Sequence, residues 1–110
     1  MAWTSKHRYA RISARKARLV TALIAGRHVN DALDLLRFTR KRASVFVEKV
    51  LRAAIADADE QEANTSRLFV QSAWVDAGPI IKRFRPKDRG RAHRIHKGTS
   101  HICVTVEERR

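Results

Sequence analysis

The clearest pattern of hydrophobic positions in the chain runs from residue 43 to residue 58. Glu48 and Arg52 stand four residues apart on the polar side of this pattern and predict a favourable ion pair. Apolar side chains recur in steps of three and one, the spacing of one helix face, at Ala43, Phe46, Val47, Val50, Leu51, Ala54, Ile55 and Ala58. The pattern predicts a long core helix, with Thr39 as its N-terminal cap.

Two shorter helices are predicted ahead of this one. Ser13 has the chemistry of an N-cap and Gly26 that of a left-handed C-terminal cap, so the first helix is expected between them. Asn30 is the expected cap of the second helix, with Asp31 favourably placed in its first turn. The apolar positions expected to form the buried faces are Leu19, Val20, Leu23 and Ile24, and then Ala32, Leu33, Leu35 and Leu36.

Strand patterns flank the helices. Trp3 to Arg11 lacks helical spacing and is predicted to be an extended segment or an edge strand. Leu68 to Asp76 is rich in β-forming side chains, and His101 to Glu107 alternates between apolar and polar positions. We expect the last two strands to pair, because the segment between them is predicted to fold back on itself.

That segment, Gly78 to Gly98, is predicted to be a β-hairpin. Its arms are Ile80 to Arg85 and Arg91 to Lys97, and the residues between them, Pro86 to Gly90, have turn chemistry. We expect the sheet of the body to run on continuously into these arms. A bulge or twist is expected where Gly78-Pro79 lies opposite Gly98.

The charge balance indicates an anionic partner. The 110 residues hold 24 Lys and Arg against 11 Asp and Glu, a formal net charge of +13 and a pI of about 11.4. Phosphate contacts gain from counterion release, which makes nucleic acid the default partner. A membrane surface is not expected, because it prefers basic helices with bulky apolar faces. In the hairpin only Asp88 opposes the cations Lys82, Arg83, Arg85, Lys87, Arg89, Arg91, Arg94 and Lys97.

Basic residues also occupy the starts of two predicted helices. Cations in a first turn oppose the helix macrodipole, and a bound phosphate removes that conflict. The acids are gathered elsewhere, at Asp57, Asp59, Glu60 and Glu62, so one end of the molecule is expected to be acidic and another to bind an anion. The basic first turns comprise Arg15, Lys16 and Arg18, and then Arg40, Lys41 and Arg42.

Other chemistry has little support in the sequence. No nucleophile–base order, phosphate-binding loop or dinucleotide turn is present, so neither an enzyme nor a cofactor is expected. The paired spacing of zinc modules is absent from His93, His96, His101 and Cys103. We expect the histidines to stack on RNA or hydrogen-bond to it rather than to bind a metal. Cys103 is the single cysteine, which excludes a disulfide framework and favours a reducing, cytoplasmic setting. The aromatic residues that could stack on bases are Trp3, Tyr9, Phe38 and, as the best candidate, Phe84.

Three segments carry a resemblance to a known family. They are KHRYARISARKARLV with LIAGRHVNDALDLL, then RKRASVFVEKVLRAAIADA, and finally VDAGPIIKRFRPKDRGRAHRIHKGTSHICVTV. The chain resembles the family of the bacterial large-subunit ribosomal protein twenty-two over nearly all of its length. Gly78-Pro79, Arg85-Pro86, Gly90-Arg91-Ala92 and Thr99 to Ile102 stand in the family's order. Two features depart from the family pattern. The link Asp59 to Ser66 is shorter and more acidic, and Trp3 and Trp74 are unusually large side chains.

The resemblance implies a single α+β domain, residues 1–110. Three helices would pack on a small three-stranded antiparallel sheet in a body at 1–77 and 99–110, and a long basic β-hairpin would protrude at 78–98. It further implies a monomer within the ribosome that binds large-subunit ribosomal RNA (rRNA), supports subunit assembly and touches neighbouring large-subunit proteins. The hairpin would line the polypeptide exit tunnel and meet the nascent polypeptide.

Site residues follow from the basic segments and the resemblance together. The expected tunnel tip is Pro86, Lys87, Asp88, Arg89, Gly90, Arg91 and Ala92. The expected rRNA-binding residues are Lys6, His7, Arg8, Arg11, Arg15, Lys16, Arg18, Arg40, Lys41, Arg42, Lys82, Arg83, Phe84, Arg85, Lys87, Arg94, His96 and Lys97.

Two other functions compete with this one. A DNA-bending architectural protein also combines a helical body with basic β-arms, and it would be a two-armed dimer that binds duplex DNA. A metal-dependent nuclease would use His93 and His96 with nearby acids and would lose its activity to a chelator.

Overall fold

The computed structural model describes residues 1–86 and 92–109, with the backbone alone at residues 83–86 and 92–96. This part of the chain confirms the expected α+β architecture of three helices and a small antiparallel sheet. The elements in chain order are strand β1 (Ala2–Ala10), helices α1 (Ala14–Ile24), α2 (Val29–Phe38) and α3 (Arg42–Glu60), a 3₁₀ turn (Thr65–Arg67), and strands β2 (Leu68–Ala77), β3 (Ile81–Pro86), β4 (Ala92–Lys97) and β5 (Ser100–Glu108).

The body sheet has the order β1-β5-β2, with both neighbours antiparallel to β5. The predicted pairing of the last two body strands and the edge position of the first strand are therefore confirmed. Central placement explains why residues 102–106 of β5 are all buried, including Cys103 and Thr105. Thr105 shares a 2.8 Å hydroxyl–hydroxyl hydrogen bond with Thr4 of β1, which partners its polar group.

Helix α3 contributes a continuous buried face to the core, as its hydrophobic stripe predicts. Phe46 and Ile55 are partly buried and pack against the core, and the other six stripe positions are buried. On its outer side the Arg52 guanidinium lies 2.9 Å from the Glu48 carboxylate, the predicted pair. Each buried CH₂ contributes about 0.8 kcal/mol to stability, so this stripe is one of the larger stabilising contributions in a small body.

Helix α1 begins and ends where expected but turns a different face inward. Ser13 Oγ accepts a hydrogen bond from the Lys16 N–H at 3.3 Å, and Gly26 has a φ of +80° just beyond the helix. The predicted inner residues Leu19 and Leu23 are 56% and 40% exposed. The buried face comprises Ala17, Val20, Thr21 and Ile24. Two smaller side chains thus take the places expected for leucines.

Two predicted helix caps are wrong. The cap of α2 is His28, whose Nδ1 accepts from the Asn30 N–H at 3.1 Å; Asn30 itself lies inside the helix. Thr39 ends α2 instead of starting α3, because its hydroxyl donates back to the Leu35 carbonyl at 2.7 Å. The N-cap of α3 is Lys41, which makes no side-chain capping bond.

The hairpin arms pair as predicted, from Ile81 opposite Lys97 to Pro86 opposite Ala92, but they form a separate two-stranded sheet. The expected continuous sheet is thus wrong. Ala77 still pairs with Ser100, and the Gly78 N–H donates to the Thr99 carbonyl at 2.9 Å. Between that bond and the first hairpin pair, Pro79 and Ile80 stand against Gly98 alone, which is the bulge that was expected. Pro79 has no N–H to donate, so the ladder breaks there.

Candidate nucleic-acid interface

Four cations from separate parts of the fold converge on one groove. The groove has a volume of about 440 Å³ and lies where the end of β1, the starts of α1 and α3, and the base of the hairpin meet. Its lining residues, among those that the structure describes, are Arg11, Ile12, Ser13, Lys16, Arg42, Ile81, Lys97 and Gly98. We call this the neck groove. Its described lining holds four cations and no acid, which favours a positive potential in the groove.

The N-terminus of α1 borders the same groove, since Ser13 and Lys16 are among its lining residues. The first intrahelical bond runs from the Ala17 N–H to the Ser13 carbonyl at 3.1 Å, and Ser13 Oγ caps Lys16. In the described structure the N–H groups of Ala14 and Arg15 therefore lack a helical partner. Gly98 packs beside this helix start: a Cβ on residue 98 would lie 3.5 Å from Ser13 Cα. The hairpin base and the helix N-terminus thus form adjoining walls.

Charge is segregated along α3. The first turn carries Arg42 and no acid, and the last turn carries Asp57, Asp59 and Glu60 and no base. Both ends oppose the helix macrodipole, which costs a few tenths of a kcal/mol per charge. Asp57 and Glu60 lie beside the start of β1, at the end of the sheet away from the hairpin. The predicted separation of an acidic end from a basic end is present in the fold.

A second basic patch lies on the outer side of β1. Lys6 and Arg8 line a shallow depression together with Lys49 of α3. His7, also in this depression, packs its ring 5.5 Å from that of Phe46. Lys49 was not among the predicted site residues. It stands seven positions after Arg42, two helical turns along one face, and that spacing was the signal in the sequence.

The other predicted cations with described side chains differ in their position. Arg15, Arg40 and Lys41 are exposed near the helix starts without lining the neck groove. Arg18 bonds within the protein: its Nε and Nη2 donate to the Val75 carbonyl at 3.1 and 2.9 Å and tie α1 to β2. Lys82 and Lys97 lie at the hairpin base.

Part of the predicted site lies outside what the structure describes. The structure does not describe residues 87–91 of the tunnel tip, and it describes Pro86 and Ala92 by backbone alone. It also leaves out the side chains of Arg83, Phe84, Arg85, Arg94 and His96. The roles assigned to these residues remain predictions.

The aromatic candidates differ in exposure. Trp3 is partly buried and packs against the core, while Tyr9 is 58% and Phe38 86% exposed. Tyr9 packs edge-on against His101, with 4.8 Å between ring centroids. Trp3 thus serves the body, whereas Tyr9 and Phe38 are open to a partner.

Of the four candidate metal residues, the structure describes the side chains of His101 and Cys103, whereas those of His93 and His96 lie outside the described part. His101 Nδ1 accepts the Tyr9 backbone N–H at 3.0 Å, and Cys103 is a buried free thiol whose pKa is raised by burial. Among the residues whose side chains are described, no three His, Cys, Asp or Glu gather as metal ligands. In the same part of the chain, every helix is too short or too polar to cross a bilayer.

A compact α+β body with cations gathered at a helix start and a β-hairpin base defines the class of small, basic nucleic-acid-binding proteins. Comparison with protein families narrows the class. Residues 5–107 match the family described as Ribosomal protein L22p/L17e, so the chain belongs to that family. Its members are structural constituents of the large ribosomal subunit. Membership implies that the protein is part of the ribosome, in association with ribosomal RNA and other large-subunit proteins. It gives no support to the two competing functions, a DNA-bending protein and a nuclease.

Proposed function

We propose that the protein binds large-subunit rRNA directly, with the neck groove as its principal phosphate site. The convergence of Arg11, Lys16, Arg42 and Lys97 carries this proposal. These residues come from segments up to 86 positions apart in the numbering of the chain, so the fold, not local composition, brings them together. Mutual repulsion of four cations is unfavourable in the free protein and is offset when phosphates bind.

The groove supports contact with RNA phosphates at two levels. The N–H groups of Ala14 and Arg15 supply fixed donors, and the helix N-terminus favours a negative charge. Side chains of Lys16 and Arg42 then add charge-assisted bonds, which are about twice as strong as neutral ones. The patch of Lys6, Arg8 and Lys49 extends the same surface along β1. This accounts for the basic first turns that the dipole disfavours.

The hairpin is the second part of the proposal. Its arms would run between RNA segments, and its tip, Pro86 to Ala92, would line the exit tunnel with Arg89, Gly90 and Arg91 nearest the nascent polypeptide. Membership of the family and the regular pairing of β3 with β4 support this role. A two-stranded ribbon is marginal alone in water, so RNA on both sides would supply its stability.

Sedimentation of a cell lysate tests the ribosomal assignment. We expect the chain to co-migrate with the large subunit in a sucrose gradient at high salt, where screening strips loosely held basic proteins. A variant with Arg11, Lys16 and Arg42 replaced by Ala should shift toward free protein. Recovery of the wild-type chain with nucleoid DNA, or as a free dimer, would contradict the proposal.

Photo-crosslinking tests the tunnel role separately. A photoreactive amino acid in place of Arg91 should capture a stalled nascent chain on the ribosome. The same group in place of Glu60, at the acidic end of the body, serves as the matched control and should capture none. Equal capture at both positions, or capture at neither, would remove the tunnel contact while leaving rRNA binding through the neck groove in place.

A further inference from the structure

The backbone of β1 is distorted near the C-terminal end of the strand, just before the neck groove. β1 pairs with β5 in register up to His7 opposite Ile102 and resumes at Ala10 opposite Ser100, so Arg8 and Tyr9 face His101 alone. Within this bulge Tyr9 adopts a φ of +58°, the left-handed region that disfavours a residue with a bulky side chain. Glycine or asparagine is the usual occupant of such a position.

The Tyr9 ring contacts His101 and Arg8, and more than half of the residue remains exposed. The Tyr9 and His101 rings form a T-shaped pair with centroids 4.8 Å apart and an interplanar angle of 87°. The Tyr9 N–H also donates to His101 Nδ1 at 3.0 Å, which fixes the bulge. The Arg8 guanidinium lies 5.7 Å from the ring centroid, and 58% of Tyr9 remains exposed. A rigid aromatic surface beside a cation suits an unpaired base.

Position along the strand links this ring to the phosphate site. Arg11, a wall of the neck groove, follows Tyr9 by two residues, which places the two Cα atoms within about 7 Å. A nucleotide at this end of the body therefore meets an aromatic surface and a cationic groove side by side. Trp3, at the other end of β1, packs against the core and lacks this arrangement.

We propose that Tyr9 is a stacking platform for an unpaired base of rRNA, with that nucleotide's backbone directed into the neck groove. This inference rests on the proposed rRNA binding and deepens it by naming the residue that holds a base. The His101 contact and the hydrogen bond to its Nδ1 position the ring, so the left-handed backbone serves to turn the aromatic surface outward.

Filter binding to RNA extracted from large ribosomal subunits tests the proposal. Tyr9→Phe keeps an aromatic ring and should bind within about twofold of the wild type. Tyr9→Asn suits the left-handed backbone but removes the ring, and should bind about tenfold more weakly. Its salt slope should equal that of the wild type, because every cation that neutralises a phosphate is still present. A matching thermal midpoint for Tyr9→Asn shows that the weaker binding does not come from unfolding.

The outcomes separate this inference from the function beneath it. Steep, salt-dependent binding by the wild type with equally tight binding by Tyr9→Asn would overturn the stacking role alone. A wild-type chain without salt-dependent binding would overturn rRNA binding itself, and the stacking role with it. Ultraviolet crosslinking of intact large subunits adds a direct readout. An adduct of Tyr9 with a nucleotide is expected, and an adduct of Tyr9 with a neighbouring protein only would overturn the proposal.

Discussion

Gly78 and Thr99 approach so closely at the hairpin base that no side chain fits on residue 78. A Cβ there would lie 2.6 Å from Thr99 Oγ1 and 3.2 Å from the Thr99 carbonyl carbon and oxygen. The same threonine hydroxyl donates to the Pro79 carbonyl, and the Gly78 N–H donates to the Thr99 carbonyl. These contacts join the hairpin to the body directly beside the neck groove.

Gly78→Ala is therefore expected to destabilise the protein. Overpacking of this kind costs about 1–3 kcal/mol, and the hydrogen bond of Thr99 to Pro79 would be disturbed as well. Gly98→Ala is the matched control, since its Cβ would meet ordinary contacts at 3.5 and 3.7 Å and should change stability by less than about 0.5 kcal/mol. Urea unfolding of both variants measures the difference. Equal stabilities would show that the backbone relaxes around Gly78 without cost.

Lys41→Ser is expected to stabilise the free protein while weakening its binding to rRNA. Lys41 is the N-cap of α3 with extended backbone angles and no side-chain capping bond. Serine would cap the helix and remove an unfavourable cation, a gain of about 0.5–1 kcal/mol. Lys41→Ala removes the same charge without adding a cap, so it should bind as weakly but gain only a few tenths of a kcal/mol in stability.

Thermal unfolding and filter binding check this pair of variants together. Serine and alanine variants of equal stability would contradict the capping role expected of serine. Wild-type binding by both variants would remove Lys41 from the RNA interface and restrict that interface to the residues lining the neck groove.

Stability should fall at alkaline pH through Cys103. Burial raises the pKa of this thiol, with Asp76 adding to the increase and Lys6 opposing it. The folded chain thus keeps a proton that the unfolded chain loses above about pH 8.5, so stability declines as pH rises past that value. In urea unfolding at about pH 7 and about pH 9.5, the wild type should lose more stability than Cys103→Ala. Equal losses would show that the thiol does not contribute.

The sequence predicted elements best where one local pattern determines burial. The stripe of α3 specifies its own buried face, and the capping bond of Ser13 reaches only to Lys16. The faces of α1 were harder to predict, since Ala17 and Thr21 are buried while the larger Leu19 is 56% exposed. Hydrophobic size alone did not show which positions meet β2.

Long-range contacts explain the wrong cap of α2. His28 caps α2 because its other nitrogen bonds the Ser66 carbonyl at 2.8 Å and its ring packs against Phe69. Neither partner lies near His28 in the sequence. The neck groove has the same origin: the basic first turns of two helices were recognisable separately, but their meeting with Lys97 and Arg11 depends on the tertiary fold.

The salt dependence of rRNA binding is the decisive test of a phosphate site in the neck groove. The first double variant, Lys16→Ala with Arg42→Ala, removes two cations of the groove. The second double variant, Arg27→Ala with Arg67→Ala, is the matched control and removes two cations at the opposite end of the sheet. For the first, the slope of log affinity against log salt should flatten by about 0.7–0.9 for each phosphate that is no longer neutralised. For the second it should match the wild type. Unchanged slopes in both, or equal flattening in both, would contradict a phosphate site in the neck groove.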